Sequence, residues 1–361
     1  MAGWADRAEA AESGICGRHL RRLLALPGTR LGVVGWPPST GERLFLHWDY
    51  WWQAQLLDCL LDAQGRTPSD DRRRDISRVI TAIRLRNGWR WVNGYYDDIA
   101  WLGLALERAE LHAEIDVTAG LAAITRRLRA GWTDHGGGGI WWRVNDDFKN
   151  VPANGPAAIL LARLSERGDR SDLQRARSTV DWIAEKLVDP GTGVVYDGMH
   201  VNPDGSVREV EHAVYTYCQG VYIGACVELA EVDASPRWQQ RAARTVGVVA
   251  ERMVTATAYG PVIRGQGGGD GGLFAGILVR YLAQAALGLA DQHAVATAAG
   301  LVYAAADAAW ENRQITGSGP VFGEQWCAPE EQARDLSVQL SAWMALEAAA
   351  LLADGEVPDP R

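Results

Sequence analysis

Several patterns that would assign this 361-residue chain to a common class of protein are missing from it. No uncharged run reaches the ~18 residues that a membrane-spanning helix needs, and the amino terminus has no apolar signal core. No G-K-[ST] follows the glycines at 136–139, which excludes a phosphate-binding loop, and no G-x-S-x-G marks a nucleophile elbow. We therefore expect no membrane span and a cytoplasmic protein.

Metal-binding patterns are also missing. The seven histidines are scattered without an H-x-x-x-H, and the five cysteines form no C-x-x-C. Cys218 and Cys226 lie eight residues apart on one predicted helix, too far apart to bond to each other. An odd number of cysteines without a pairing pattern indicates reduced thiols in a cytoplasmic protein. We expect neither a metal nor a cofactor.

The chain has fewer basic than acidic residues, and it has few phenylalanines. The chain has 36 Lys and Arg against 45 Asp and Glu, a net charge of −9, which disfavours a nucleic-acid partner. It has 4 Phe but 16 Trp. An excess of Trp suggests flat surfaces that stack on sugars or aromatic ligands. The alternative is that many of these rings fill gaps between helices.

Residue patterns predict twelve helices and no linker, so we predict a single domain over 1–361. Residues 31–47 and 131–153 are predicted loops, and turn signals within 189–213 predict a short hairpin. The predicted helices are 4–26, 49–62, 70–87, 95–112, 117–130, 154–167, 171–188, 214–231, 236–256, 271–288, 291–311 and 334–353.

The helices alternate in character along the chain. Six apolar helices start near residues 49, 95, 154, 217, 271 and 335, and more highly charged helices lie between them, which indicates an internal repeat. A helix that is apolar all round must be buried, and an amphipathic one can cover it. We predict an all-α fold, an (α/α)6 barrel of six inner and six outer helices. An open α-solenoid is the alternative.

In such a ring the inner helices run the same way, and their amino-terminal ends share one face. The segments that enter them are rich in acids, amides and aromatic residues, whereas the opposite face receives plain turns. Acids act on a glycosidic bond, amides read hydroxyls, and rings stack on sugar faces. The sequence therefore predicts a glycoside-processing enzyme with an oligo- or polysaccharide substrate.

Asp97 and Asp98 are the candidate catalytic residues, side by side between aromatic residues at a predicted helix start. Mutual repulsion raises one pKa, so that one group stays protonated as an acid while the other attacks. Consecutive residues reach the ~5–5.5 Å carboxyl separation of retaining glycosidases more easily than the ~6.5–9.5 Å of inverting ones. The alternative is a pair of first-turn acids that cap a structural helix.

Other residues on the same face are candidates for substrate binding. Asp270 is predicted to bind a sugar hydroxyl, with a helix cap as the alternative. Asp197 is predicted to bind the ligand or to form a turn. Gln219 is predicted to position a hydroxyl or the catalytic acids, with a helix cap as the alternative. Lys149 and Asn150 would position a hydroxyl or the catalytic acids. The aromatic candidates for stacking, each with a core role as alternative, are Trp141, Trp142 and Tyr96. Tyr95, Asn154 and Tyr217 complete the set.

Five motifs resemble glycoside hydrolase family 76, the endo-α-1,6-mannanases. They are Tyr95-Tyr-Asp-Asp-Ile-Ala-Trp, Gly139-Ile-Trp-Trp, Lys149-Asn-Val-Pro-Ala-Asn-Gly-Pro, Thr216-Tyr-Cys-Gln-Gly-Val-Tyr-Ile-Gly-Ala and Gly269-Asp-Gly-Gly-Leu-Phe-Ala-Gly-Ile. The resemblance implies an (α/α)6 barrel that cleaves α-1,6-mannan with retention, with Asp97 as nucleophile and Asp98 as general acid/base. The chain departs from the family at Cys218, where Asn is common, and in lacking the signal peptide of exported members.

Two other functions fit the composition of the cleft. One is a different (α/α)6 sugar enzyme, an epimerase or unsaturated-uronide hydrolase, which would use His47 and His212. The other is a glycan-binding protein without catalytic activity. In each case we expect a monomer.

Overall fold

The computed structural model describes residues 3–329 and 335–361. Residues outside these ranges include Met1 and Ala2 at the amino terminus, Glu330 and Glu331 of the last predicted cleft segment, and residue 334 of the last predicted helix. The described residues form thirteen α-helices. They are α1 (Trp4–His19), α2 (Thr40–Arg43), α3 (Tyr50–Arg66), α4 (Asp70–Arg86), α5 (Tyr96–Ala113), α6 (Thr118–Gly131), α7 (Val151–Ser165), α8 (Ser171–Lys186), α9 (Thr216–Val232), α10 (Pro236–Arg252), α11 (Gly271–Gly288), α12 (Gln292–Glu311) and α13 (Leu336–Asp354).

Short antiparallel strands lie in the connections between these helices. β1 pairs with β2, β3 with β4 and β4 with β5, β6 with β7, and β8 with β9. In the three-stranded sheet Phe148 is opposite His200 and Asn150 is opposite Gly198. The strands are β1 (Leu20–Arg21), β2 (Leu31–Gly32), β3 (Phe148–Asn150), β4 (Gly198–Val201), β5 (Val207–Glu211), β6 (Val254–Thr257), β7 (Gly260–Ile263), β8 (Gln314–Thr316) and β9 (Gly319–Val321).

Six inner helices form a closed ring. Helices α3, α5, α7, α9, α11 and α13 each pack on the next, and α13 packs back on α3. The outer layer is α4, α6, α8, α10, α12 and α1, the last of which packs on α13. The prediction of an (α/α)6 barrel is confirmed, and the open solenoid is wrong because the first and last inner helices touch.

Small residues allow the inner helices to approach closely. Gly276 of α11 lies against Ser341 of α13, where a Cβ would come within 2.5 Å of the Ser341 Cα. The Gly276 N–H also donates to the Ser341 hydroxyl at 2.7 Å. A side chain at position 276 would therefore push the two helices apart, which explains why these apolar helices are rich in small residues.

A buried carboxamide recurs at the fourth residue of four inner helices. In α9, the Gln219 Oε1 accepts from the Val195 N–H at 2.9 Å while its Nε2 donates to the Val195 carbonyl at 2.7 Å. Each of the other three pins one backbone residue of a preceding segment in the same two-way manner. The four residues are Gln53, Asn154, Gln219 and Gln339.

This arrangement corrects the sugar-binding roles predicted for Asn154 and Gln219. Neither side chain has exposed surface, and both amide groups are occupied by the backbone. The corresponding positions of α5 and α11 are Ile99 and Phe274. The amides therefore fix the loops of the cleft face to the barrel. Breaking these hydrogen bonds would leave a buried amide and a buried backbone group unpaired, which costs free energy of folding.

Several predicted boundaries were wrong for local reasons. Helix α1 ends at His19 rather than 26 because residues 20–21 pair with β2. Helix α10 ends at Arg252 rather than 256, because the β-branched residues of 254–257 enter a hairpin. Helix α7 begins at Val151 rather than 154, with Pro152 in its first turn and Asn150 as its cap. The predicted hairpin within 189–213 is confirmed as β4 and β5.

The carboxyl-terminal ends of the inner helices surround a cavity of about 830 Å³. Arg280 pairs with Asp58 at 2.7 Å and with Asp62 at 2.6 Å, and Arg108 pairs with the same two acids. The positive charges of these arginines balance the negative charges of the two acids and the partial negative charge at the carboxyl-terminal ends of the helices. The opposite face thus carries an ion-pair network as well as the predicted turns.

Two inner helices have the length and hydropathy of membrane-spanning segments. They are Gly271–Gly288 and Leu336–Asp354, of which 78% and 89% respectively is buried inside the barrel. Their apolar character is accounted for by packing in the ring.

We predict that Gln219→Ala lowers the free energy of unfolding by about 2–4 kcal/mol, because it leaves the Val195 N–H and carbonyl unpaired inside the protein. Urea denaturation measures the change, with Gln240→Ala on the exposed surface of α10 as a matched control. Unchanged stability together with weakened glycan binding would return Gln219 to substrate recognition.

Candidate active site

The two aspartates occupy the second and third positions of α5 and have separate hydrogen-bond partners. The Asp97 Oδ1 accepts from the Asp98 backbone N–H at 2.9 Å, and its Oδ2 accepts from the Trp142 indole N–H at 3.0 Å. The Asp98 Oδ2 accepts from the Asn93 amide at 2.5 Å. The first turn of a helix favours negative charge, which reduces the cost of placing two acids together.

Their environments give the two carboxyls different proton affinities. Burial raises the pKa of Asp97 to about 6, and the donors from Asp98 and Trp142 oppose that rise. Burial and the neighbouring charge of Asp97 raise the pKa of Asp98 to about 8. Between these values Asp97 is ionised and Asp98 is protonated. One acid is thus prepared to attack and the other to donate a proton.

Lys149 holds together the glycine-rich loop that covers this helix start. Its ammonium reaches five loop oxygens at 2.6–2.9 Å: the carbonyls of Thr133, His135, Gly138 and Gly139, and the Thr133 hydroxyl. Burial lowers the pKa of Lys149 to about 7, whereas five oxygen acceptors favour the charged form. Lys149 has no exposed surface, so it positions the loop, which corrects the predicted contact with a sugar hydroxyl.

The glycine run has the backbone conformation that this cage requires. All four residues of 136–139 have positive φ, and a Cβ at Gly139 would come within 2.9 Å of the Trp182 ring. Only glycine adopts such a series without strain. Asn150 caps α7 through the Ala153 N–H at 3.2 Å and is almost fully buried. Its role is therefore also structural.

Asp270 faces the pair from another inner helix. It precedes α11, yet among the described residues its side chain accepts no capping hydrogen bond. Its Oδ1 instead accepts from the indoles of Trp51 at 2.9 Å and Trp52 at 2.7 Å. Its negative charge contributes to the raised pKa of both Asp97 and Asp98. The helix-cap alternative is thus wrong, and the exposed carboxylate is oriented by two indoles.

Asp197 immediately precedes strand β4 of the three-stranded sheet. Its backbone accepts from Val151 and donates to Ala213, so it does not form the turn considered above. The Cys218 thiol donates to its Oδ1 at 3.7 Å. Burial raises the pKa of Asp197 to about 6, and the charge of Asp97 adds to this rise.

Aromatic residues join the amino-terminal ends of α3, α9 and α11. The Tyr217 and Phe274 rings stack in parallel with centroids 3.9 Å apart. Trp51 lies 6.5 Å from Tyr217 and 6.4 Å from Phe274. Tyr217 is half-buried in this cluster, beside the charges of Asp97 and Asp197.

The three predicted stacking residues have different surroundings. Tyr96 is buried against Gly131 and Arg127, so its core alternative is correct. The Trp141 ring lies over the Lys149 ammonium at 4.5 Å. Trp142 packs edge-on to Tyr95 at 5.4 Å, and Tyr95 remains 37% exposed. Of these aromatic residues, Trp142 is the one that touches a catalytic aspartate.

Sequence reasoning missed four residues of the site: Asn93, Trp51, Trp52 and Phe274. Asn93 stands in an Asn-Gly pair just before the aspartates, and the two tryptophans open an apolar helix. Their positions at the entrances of inner helices were a usable signal. The hydrogen-bond partners of these residues could not be predicted from the sequence, because Trp52 and its partner Asp270 are 218 residues apart.

The histidines of the epimerase alternative do not assemble at the catalytic pair. His212 is exposed and packs on Tyr196 with ring centroids 4.5 Å apart, and His47 is also exposed. Within residues 3–329 and 335–361, no hydrogen bond joins either histidine to Asp97 or Asp98. The geometry thus gives this alternative no support.

Known proteins share this architecture over almost the whole chain. The sequence profile of glycosyl hydrolase family 76 matches residues 29–358. The α-1,6-mannanase GH76A of Salegentibacter sp. HEL1_6 is 31% identical, with 97% of this chain and 100% of that chain covered and a TM-score of 0.86. The Lin0763 protein of Listeria innocua is 26% identical over 98% and 99%, with a TM-score of 0.85.

A variant of the Salegentibacter enzyme bears directly on the paired aspartates. It is an inactive form with two consecutive aspartates replaced by asparagine, in complex with α-1,6-mannotriose. Its sequence is 30% identical to this chain, with 97% of this chain and 100% of that chain covered and a TM-score of 0.86. Among curated protein sequences, none matches this chain.

We predict a bell-shaped pH dependence of kcat/KM for hydrolysis. Activity falls as the pH drops through about 6, where Asp97 becomes protonated, and as it rises through about 8, where Asp98 loses its proton. Asp270→Asn removes a neighbouring negative charge, which lowers the pKa of Asp98 and moves the alkaline limb to lower pH. An alkaline limb that stays in place in this variant would contradict the electrostatic assignment.

Proposed function

Because this chain belongs to glycosyl hydrolase family 76, we propose that it hydrolyses α-1,6-mannosidic linkages of mannan by a retaining double displacement. The observation that carries the proposal is the pair of carboxyls at the start of α5, of which Asp97 accepts two hydrogen bonds and Asp98 keeps its proton to a higher pH. This division of roles between two adjacent acids is what a retaining glycosidase requires.

The inactive mannanase variant supports the same assignment. Three consecutive aspartate pairs occur in this chain, at 70–71, 97–98 and 146–147. The first opens the outer helix α4, and Asp147 of the third is paired with His200 and Arg208. The pair at 97–98 lies at the amino terminus of an inner helix. We therefore equate it with the two aspartates whose replacement inactivates the Salegentibacter enzyme.

In the first step the Asp97 carboxylate attacks the anomeric carbon of the mannosyl unit. The bond from this carbon to the glycosidic oxygen breaks, and Asp98 donates its proton to that oxygen. The leaving chain departs as an alcohol. The products on the enzyme are a mannosyl ester of Asp97 and the Asp98 carboxylate, so charge and protons balance.

In the second step Asp98 acts as the base. Esterification removes the charge of Asp97, which lowers the pKa of Asp98 and suits the carboxylate to accept a proton from water. The water oxygen bonds to the anomeric carbon and the ester bond breaks, which restores Asp97 as an anion and Asp98 as an acid. Two inversions at one carbon give net retention.

The remaining cleft residues would bind the sugar chain. The Asp270 carboxylate is oriented by two indoles, and the Asp197 carboxyl has the weak thiol donor Cys218. Both can accept hydrogen bonds from hydroxyls, which are abundant on mannan. Trp51 and Tyr217 offer aromatic surface beside them, and Tyr95 offers an exposed ring two residues before Asp97.

We predict that Asp97→Asn lowers kcat by about 10⁴-fold or more and leaves the fold intact, because an amide cannot form the glycosyl intermediate. Asp71→Asn, at a side chain that is 89% exposed on α4, is the matched control. Asp98→Asn should retain activity on a substrate with an activated leaving group, which needs no proton. Glycan binding without turnover in the intact protein would instead indicate a non-catalytic binding protein.

We predict that the α-anomer is the first product released from an α-1,6-linked mannooligosaccharide. NMR spectra recorded in the first minutes, before mutarotation, distinguish the two anomers. A β-anomer released first would mean inversion. A second catalytic acid would then have to come from elsewhere in the cleft, with Asp270 and Asp197 as the candidates.

A further inference from the structure

We propose that Trp142 is a positioning residue for the nucleophile: its indole N–H holds the Asp97 carboxylate in its attacking orientation, and Lys149 fixes the loop that carries it. The inference rests on the proposed function, because it assigns Asp97 the role of nucleophile. It differs from the stacking role that the sequence suggests for Trp142.

The contacts of Trp142 connect the loop to the start of α5 at two points and to strand β3 at a third. Its indole N–H donates to the Asp97 Oδ2 at 3.0 Å. Its carbonyl accepts from the Tyr96 N–H at 2.8 Å, at the first residue of α5, and its own N–H donates to the Phe148 carbonyl at 2.8 Å. The backbone on both sides of the indole is therefore fixed relative to the carboxylate.

The Trp142 ring is half-buried between protein groups. The Arg143 guanidinium lies 5.1 Å from its centroid, Tyr95 packs at 5.4 Å and Phe148 at 6.3 Å, both edge-on. These neighbours occupy surface that a sugar ring would need for stacking. The indole N–H, by contrast, points at a reacting group.

Lys149 and Asn154 make the loop rigid behind Trp142. The Lys149 ammonium donates hydrogen bonds to the carbonyls of Gly138 and Gly139 in the glycine run. The Lys149 backbone also forms an isolated antiparallel β-bridge with Trp141. Asn154 binds both the N–H and the carbonyl of Ile140 at 2.7 and 2.8 Å. A loop that carries a donor to a nucleophile needs such support, because hydrogen bonding depends strongly on distance and angle.

The charged groups around Asp97 determine how loss of the indole donor appears in a pH profile. Asp98 lies beside it on α5, Asp270 faces it from α11, and Asp197 from the segment before α9, where Tyr217 also approaches. All these neighbours disfavour the anion when they are charged. Trp142 supplies one of the donors that favour it, so removing that donor raises the pKa of Asp97.

The test is Trp142→Phe, which keeps an aromatic ring and removes the N–H. We expect kcat on an α-1,6-mannooligosaccharide to fall about 10- to 100-fold with KM changed less than about twofold. The acid limb of kcat/KM should move to higher pH. Trp89→Phe is the matched control, because Trp89 is 63% exposed on the α4–α5 connection and should leave both limbs in place.

Two outcomes would overturn the proposal on a substrate that the wild-type enzyme cleaves. One is an unchanged kcat and acid limb in Trp142→Phe. The other is a raised KM with unchanged kcat, which would assign Trp142 to sugar stacking. If the wild-type enzyme cleaves no α-mannoside, it is the proposed function that fails instead.

Lys149→Met tests the supporting part of the mechanism. If Lys149 acts through Trp142, the double variant should lose little more kcat than Trp142→Phe alone, because both substitutions remove the same contact. Losses that multiply would show that Lys149 acts independently. Should Lys149→Met fail to fold, Lys149→Arg, which keeps the charge, takes its place in the cycle.

Discussion

The repulsion between two half-buried carboxyls at the start of α5 is the constraint on which the rest of the site depends. Asp97 and Asp98 can lie side by side only because the helix end offers free N–H groups and a favourable dipole. The ring of inner helices supplies such an end, buried enough to separate the two pKa values and open enough to admit a sugar chain. Asp270 contributes from across the ring by adding a negative charge that, like Asp97, favours the protonated form of Asp98.

Precision at this site is provided by polar groups that are out of reach of the substrate. The buried amides of Gln53, Asn154, Gln219 and Gln339 fix entrance segments of four inner helices to the barrel. Lys149 does the same for the glycine-rich loop. Loops are usually the mobile part of a fold, and here buried hydrogen bonds hold them in place. Many of the buried polar residues on the cleft face therefore position the loops and do not contact the substrate.

The sequence was most informative where the signal was local or periodic. Apolar helices repeating along the chain predicted the closed barrel, and the adjacency of Asp97 and Asp98 drew attention to the pair that lies at the start of the inner helix α5. Residue type alone was misleading for Lys149, Asn150, Asn154 and Gln219, because an amide or ammonium suits a sugar hydroxyl and a backbone carbonyl equally well. Which partner it meets is decided by burial, which depends on contacts distant in sequence. The pairing of Trp52 with Asp270, 218 residues apart, was missed for the same reason. The strands at 254–263 were missed for a local reason, because the β-branched residues after α10 were assigned to the helix.

The most direct test of the account is to trap the glycosyl-enzyme intermediate. A fluorinated α-mannosyl substrate with a good leaving group slows the second step more than the first, so the ester accumulates. Mass spectrometry of the intact protein and of its peptides should show one glycosyl unit on the peptide that contains Asp97, and no label in Asp97→Asn. A label on another residue, or full turnover without any covalent species, would contradict the assignment of Asp97 as nucleophile.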